Sequence, residues 1–475
     1  MNPTETSLES QLAQLAGRVE PSDEGWDQIL ARARRHDRRR REALAVSALT
    51  AVVLIGAIAL PRLFEHRRPG IQVSSRPPAA PAPGRAPGSA AWVAAGQLWT
   101  ATGNGAPRAV AGSSGAEDPE WSHDGQWISY LQHTGTPATE LWVVHPDGTG
   151  NLRLWTGEPG GIEWSPTAEL LAVSSSPAVG VGGLELIGTD GTARQVVAAT
   201  VEVQSFAWSP DGTALALSEV VNPVSSYQSP LEVLTVAGAD AGQAIVVLRA
   251  TAGDGIIVGP WWPNQKGLLY WIEPRYSKAS EANGLALMST ALSGAAPVSL
   301  GTSLVNPPWL TWAGDGQIFV VLGGGPQPSD NKTLELCAPT TGVCDPVPVP
   351  AGAVSLDPAV SPDGNQIAFV VAKSAPVATP AWYGTRTLWV ADVADLAGAH
   401  ALGATGVANP SFSPDGLMIG YSTATGVAAV SVFGGAPTVL SGPSALQKDH
   451  NFDGETAYGK APWTGHAVWA PSSAG

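Results

Sequence analysis

From residue 90 onward, apolar and polar residues alternate in runs of five or six, and Gly, Pro, Asp or Asn breaks nearly every run. That is a strand period. Before residue 90 the pattern is different. Leu8, Leu12, Leu15 and Val19 fall at helical spacing, and Trp26, Ile29 and Leu30 open a second helical stretch behind Pro21-Ser22-Asp23. Ala43 to Leu60 then reads ALAVSALTAVVLIGAIAL, without a charge. As a helix it spans about 27 Å, close to the hydrocarbon thickness of a bilayer.

The charges beside this stretch give it a direction. Arg32, Arg34, Arg35, Arg38, Arg39, Arg40 and Arg41 precede it, and Arg62, Arg67 and Arg68 follow. The positive-inside bias predicts a cytoplasmic N-terminus and an extracytoplasmic body. A cleavable signal peptide is the rival reading, since Ala57-Ile58-Ala59 has the small-x-small form. The long leading region and the long apolar stretch favour an uncleaved anchor. Residues 69–89 carry six Pro among Ala, Gly, Ser and Arg, the composition of an extended stalk. The expected organisation is a cytoplasmic stub at 1–42, a single-pass transmembrane helix at 43–60, a Pro-rich extracytoplasmic linker at 61–89 and a repeat body at 90–475.

Within that body one motif recurs: an aromatic or apolar pair, Ser-Pro, Asp-Gly, then an apolar strand. The copies read PEWSHDGQWISYL, IEWSPTAELLAVS, FAWSPDGTALALS, GPWWPNQKGLLYW, WLTWAGDGQIFVV, PAVSPDGNQIAFV and PSFSPDGLMIGYS. The position before the turn falls at Trp121, Trp164, Trp208, Trp262, Trp312, Val360 and Phe412, giving intervals of 43 to 54 residues. Further strand patterns such as ELWVVHPDGTG follow each copy. Four strands in a period of about 40–50 residues is the pattern of propeller blades. Asp-Gly supplies the positive-φ positions of a tight hairpin, and Ser and Asp can bond the turn backbone. Asp124, Asp211, Asp315, Asp363 and Asp415 are therefore read as turn residues, and the Trp series as packing between blades.

Composition narrows the partners. Charged residues make up 14% of the chain, while Trp numbers 18 against seven Phe and seven Tyr. Residues 90–475 carry a net charge of −19, which repels phosphate and argues against nucleic acid. No G-x-S-x-G nucleophile elbow and no Walker A loop occurs, and the eight His lack metal-ligand spacing.

The W-S-P-D-G motif, with its I-A-F-like and L-W-V-like strands, resembles the TolB-type β-propeller repeat over residues 90–475. The resemblance implies a rigid disc with a central funnel, used mostly for binding other proteins. Similar propellers also gate serine peptidases of the prolyl-oligopeptidase type. Ala90–Ala94 and Gln97–Ala101 read as second and third strands without a first, and His466 to Pro471 reads as a first strand without followers. Joined to the seven internal copies they give an all-β, eight-bladed propeller, with seven blades as the alternative.

On this reading the protein is a membrane-anchored scaffold in the cell envelope, without enzymatic activity, binding an envelope protein or another extracytoplasmic ligand. The alternatives are a sensor signalling through the stub, as in membrane-bound anti-sigma factors, and a propeller hydrolase with carboxylates in the funnel. Cys337 and Cys344 lie on a predicted hairpin that can bring their Cβ atoms to the ~3.8 Å a disulfide needs; two buried thiols are the alternative. Asp449, Asn451, Asp453 and Glu455, with Gly454 in the sixth position, resemble the opening of a calcium loop. Ala457 and Lys460 stand where further ligands belong, so the expectation is a weak calcium site or a plain polar loop, and no other cofactor.

Overall fold

The Ser-x-Asp-Gly motif folds in one way wherever it is complete. Ser209 Oγ donates to Asp211 Oδ1 at 2.6 Å, the same carboxylate oxygen accepts the Thr213 N–H at 3.0 Å, and Ser209 Oγ accepts the Ala214 N–H at 3.0 Å. Ser122 with Asp124, Ser361 with Asp363 and Ser413 with Asp415 repeat the arrangement. Amides that a tight hairpin leaves without ladder partners are thus satisfied locally. Gly212 has φ 68°, and a Cβ there would lie 2.2 Å from Thr167 Oγ1 of the preceding repeat. Glycine is required.

A computed structural model of the protein describes residues 89–470 apart from 95, 103–106, 134–137, 176–181, 220–228, 239–240, 252–253, 275–282, 425 and 441–467. Eight antiparallel four-stranded sheets result. Blade one has its inner strand at Ala116–Trp121, followed outward by Ile128–His133, Thr139–Val144 and Leu152–Gly157. The inner strands of blades two to seven are Pro159–Trp164, Val203–Trp208, Gly255–Trp261, Leu310–Trp312, Ala353–Val360 and Ala408–Phe412. Blade eight is composite: Val468–Trp469 pairs with Ala90–Ala94, which pairs with Gln97–Ala101 and then Arg108–Ala109. The ring has eight blades, and the split blade closes it as its terminal strand patterns predict.

The core is a circle of interfaces. Leu131 and Leu141 of blade one pack with Ile162 and Trp164 of blade two, and Leu184 of blade two with Phe206 of blade three. A single cluster runs from Phe319 of blade five through Phe369 of blade six to Tyr421 of blade seven. Trp92 and Trp469 of blade eight pack with Met418, and Leu98 with Trp121. Each sheet buries both faces on its neighbours, as radial packing demands.

Indole N–H groups tie the inner strands together. Trp208 Nε1 donates to the carbonyl of Glu163, Trp261 Nε1 to that of Ala207 and Trp469 Nε1 to that of Ser411. In each case the acceptor sits one residue before the aromatic position of the preceding blade. This corrects the sequence alignment of blade four. Trp261 pairs with Leu268 as Trp208 pairs with Leu215, so Trp261 holds the aromatic position. Trp262 stands where other copies have Ser, with its N–H on the carbonyl of Gly267 and its indole on Ser289 Oγ.

Ala43–Leu60 lies outside the described residues, so the anchor is not seen; among the described residues no helix is long and apolar enough to cross a membrane.

Candidate functional site

Three inner strands bulge at the same place. Asp118, Asp357 and Asn409 each take φ 49°, each precedes a proline, and the strand register shifts around each. Asp and Asn tolerate this left-handed region better than other non-glycine residues. The bulge turns each side chain out of the ladder and leaves it available for contacts between blades or toward the rim.

Asp357 uses its position to clamp three blades. Its Oδ1 accepts the Trp309 indole N–H at 2.9 Å from the turn entering blade five, and its Oδ2 accepts the Asn409 N–H at 3.3 Å from blade seven. Arg386 Nη2 completes the set. Arg386 is 1% exposed, lies 5.9 Å from the Trp382 ring and 5.7 Å from the Tyr383 ring, and its Nε and Nη1 find no acceptor among the described residues. Trp382 and Tyr383 belong to the short helix Pro380–Gly384, whose N-cap Thr379 accepts the Trp382 N–H. This insert joins the second and third strands of blade six and packs on its counterpart from blade five. Ala375 N–H reaches Ser329 O, and Lys332 Nζ is held by the carbonyls of Gly324, Gly325 and Asp330. Burial pushes the Lys332 amine down to about 8, against the opposing charge of Asp330.

Glu163 is the second buried carboxylate of an inner strand. Burial pushes it up to about 8, while the Trp208 N–H on Oε2 pulls the other way. It therefore carries a proton at neutral pH and belongs to the seam between blades two and three. Among the described residues no group of three or more His, Cys, Asp or Glu is placed to hold a metal ion.

Blade one carries a different constellation on the face of the disc where second strands pass to third strands. His133 ends the second strand and pairs with Thr139, which begins the third; Glu117 lies near the start of the inner strand, across from Leu131. Side chains of all three project from the sheet face that packs on blade two. Thr139 Oγ1 lies 3.3 Å from His133 Nδ1, and His133 Nε2 lies 3.2 Å from Glu117 Oε2. Thr139 Oγ1 and His133 Nδ1 share a hydrogen bond whose direction follows the imidazole tautomer, and Nε2 faces the carboxylate. The hydroxyl is buried, while His133 and Glu117 are 39% and 43% exposed. No local motif marks this set. Its members come together through strand pairing.

Of the site residues named from sequence, Cys337 and Cys344 are directly opposed on adjacent strands of blade five and joined, with S–S 2.03 Å and Cα atoms 4.0 Å apart. Asp449, Asn451, Asp453 and Glu455 lie outside the described residues.

No family model matches the chain. It is 30% identical over 149 residues to the uncharacterized peptidase YuxL of Bacillus subtilis, a match covering 30% of this chain and 22% of the peptidase, so the chain spans about a fifth of that relative's length. Among solved structures it resembles a prolyl endopeptidase, with TM-score 0.46, 14% identity, 68% of this chain and 49% of the other. A eukaryotic initiation factor matches with TM-score 0.49, 12% identity, 82% of this chain and the whole of the other. Those two likenesses concern the fold alone. The expectation of a scaffold without enzymatic activity is corrected by the sequence relative, which is a peptidase and favours the hydrolase alternative.

Proposed function

We propose that the protein works in peptide hydrolysis, as a β-propeller of the peptidase kind. One observation carries the reading: the 30% identity over 149 residues to a peptidase. The ring suits polypeptide substrate in a second respect. Its face bearing the inserts of blades five and six is rigidly buttressed, by the Asp357 clamp and by Lys332 on three carbonyls, and a buttressed rim can hold an extended chain at fixed geometry. Placement outside the cytoplasm, from the Arg asymmetry around Ala43–Leu60, belongs to the same proposal.

The test is direct. Full-length protein, purified in detergent, is incubated with a mixture of short peptides, and new amino termini are counted by mass spectrometry. Cleavage above a heat-inactivated control is the expected result; an unchanged peptide pool overturns the reading. Labelling of an introduced propeller cysteine by an impermeant reagent on intact cells tests the placement.

A further inference from the structure

We infer that the Pro-rich segment 76–87 of this chain docks on its own propeller, over blades six and seven, on the face that carries the Asp-Gly turns. The inference stands apart from the peptide-hydrolysis reading.

The place where the chain enters the ring is the first argument. Ala90 pairs with Trp469 in blade eight as Ile419 pairs with Phe412 in blade seven. Where blade seven has its Ser-Pro-Asp-Gly turn, blade eight therefore has two separate segments, joined by the Ala470 N–H on the carbonyl of Ser89 at 2.8 Å. The chain before Ser89 thus meets the ring on the turn face. It does so beside blade seven, whose Ser411 carbonyl accepts the Trp469 indole N–H. Twelve residues of polyproline II at ~3.1 Å each cover about 37 Å, against about 10 Å between packed sheets, so segment 76–87 spans two blades.

The surface is the second argument. Leu417 and Phe433 are 40% and 60% exposed, and the Val432 N–H on the Leu417 carbonyl at 3.0 Å ties their two turns together. Asp415 is exposed in the first of these turns, and Asp363, Asp392 and Asp395 are exposed in the matching turns of blade six. The two blades adjoin here, since a Cβ on Gly416 would lie 3.9 Å from Pro362 Cδ. Residues 361–366, 392–396, 413–418 and 432–437 contain no Lys or Arg. Blade one, on the other side of the entry point, covers its own turn aromatic: Trp127 stacks on His145 at 3.7 Å.

Complementarity is the third. Residues 66–88 hold Arg67, Arg68, Arg76 and Arg85 and no acid, and Pro is frequent among them. Proline rings pack on exposed aromatic side chains at small entropic cost, because a polyproline II backbone is already extended. Guanidinium groups take carboxylates. Arg85 stands four residues before Ser89, about 12 Å of extended chain. The same carboxylates repel an anionic lipid surface, the other candidate for this patch.

Full-length protein in detergent, with Phe433 replaced by the photoreactive p-benzoylphenylalanine, is irradiated, digested and mapped by mass spectrometry. The expected result is a dominant adduct between position 433 and residues 76–87, in a species that migrates as a monomer and whose yield is independent of protein concentration. Arg76→Glu/Arg85→Glu should lower that yield at least ~3-fold. Salt at about 0.5 M should lower it as well. A dominant adduct to a second copy, to detergent or to another segment overturns the proposal, and so does the absence of any adduct. An unchanged yield in the double variant overturns it too. If the probe at 433 impairs folding, the same probe at exposed Leu417 decides by the same outcomes.

Discussion

Trp121 Nε1 donates to the carbonyl of Val468 at 2.9 Å, across 347 residues of sequence. Val468 immediately precedes Trp469, so this bond is the same inner-strand contact that joins blades two to three and three to four, made here between the closing blade and blade one. Trp121→Phe keeps the ring and deletes the donor. The expected cost is about 0.5–1.5 kcal/mol, the net worth of a typical hydrogen bond, because the seam is partly buried. Thermal unfolding monitored by circular dichroism checks it; an unchanged midpoint would show that closure does not depend on the bond.

The turn carboxylates set the acid limit of stability. Burial raises Asp211 and Asp363, but hydrogen bonds from Ser209 and Thr213, and from Ser361 and Asn365, outweigh it, and both end below the ordinary 3.8. A carboxylate depressed on folding contributes stability above its unfolded value and loses it as pH falls through the folded value. Stability should therefore drop steeply below about pH 4. Asp211→Asn should flatten part of that drop and cost about 1 kcal/mol at neutral pH, read from urea melts at several pH values.

Glu163 acts in the opposite direction. Its carboxyl is raised from 4.5 to about 8 by burial, so the folded state holds a proton that the unfolded chain releases more easily. Its contribution is intact below 4.5, declines as pH rises toward 8, and is gone above that, at roughly 1.4 kcal/mol for each unit of the displacement. Glu163→Gln should leave stability near pH 4 little changed and raise it at pH 8–9. Equal pH profiles for variant and wild type would contradict the burial argument.

Asp357 and Arg386 form the buried ion pair at the junction of blades five to seven. Removing either partner strands the other's charge, and Asp357→Asn or Arg386→Met should cost about 3–5 kcal/mol. The double variant Asp357→Asn/Arg386→Met should cost less than the sum of the two. Strict additivity in a double-mutant cycle would mean the pair is not coupled.

The architecture was readable because its information is local. Ser209, Asp211 and Gly212 fold their own hairpin, and the motif repeats often enough to count blades, including the one divided between residues 90–109 and 468–469. The blade-four misalignment came from adjacent Trp261 and Trp262, which hydropathy cannot distinguish; the strand pairing of Trp261 with Leu268 does. Glu117, His133 and Thr139 were passed over because each looks like an ordinary strand-end residue. Their proximity depends on which residues face each other across the sheet and on which face they share. Asp357 was likewise hidden, since the left-handed bulge that frees its side chain has Asp-Pro as its faint local trace. Function was misread for a related reason: a propeller motif describes how blades are built and is silent about what they act on.

Blade eight has a consequence for the order of assembly. During synthesis, residues 90–109 emerge early, and their sheet lacks an inner strand until Val468 and Trp469 appear. Up to then the growing arc keeps two unsealed flanks, Ala90 and Trp92 on one side and Met418 and Val427 on the other. A ribosome-stalled or end-trimmed chain that lacks Val468–Trp469 would contain seven complete blades and still be a sticky, open crescent, open to head-to-tail association with another copy. The last strand therefore works as a completeness check on the whole ring.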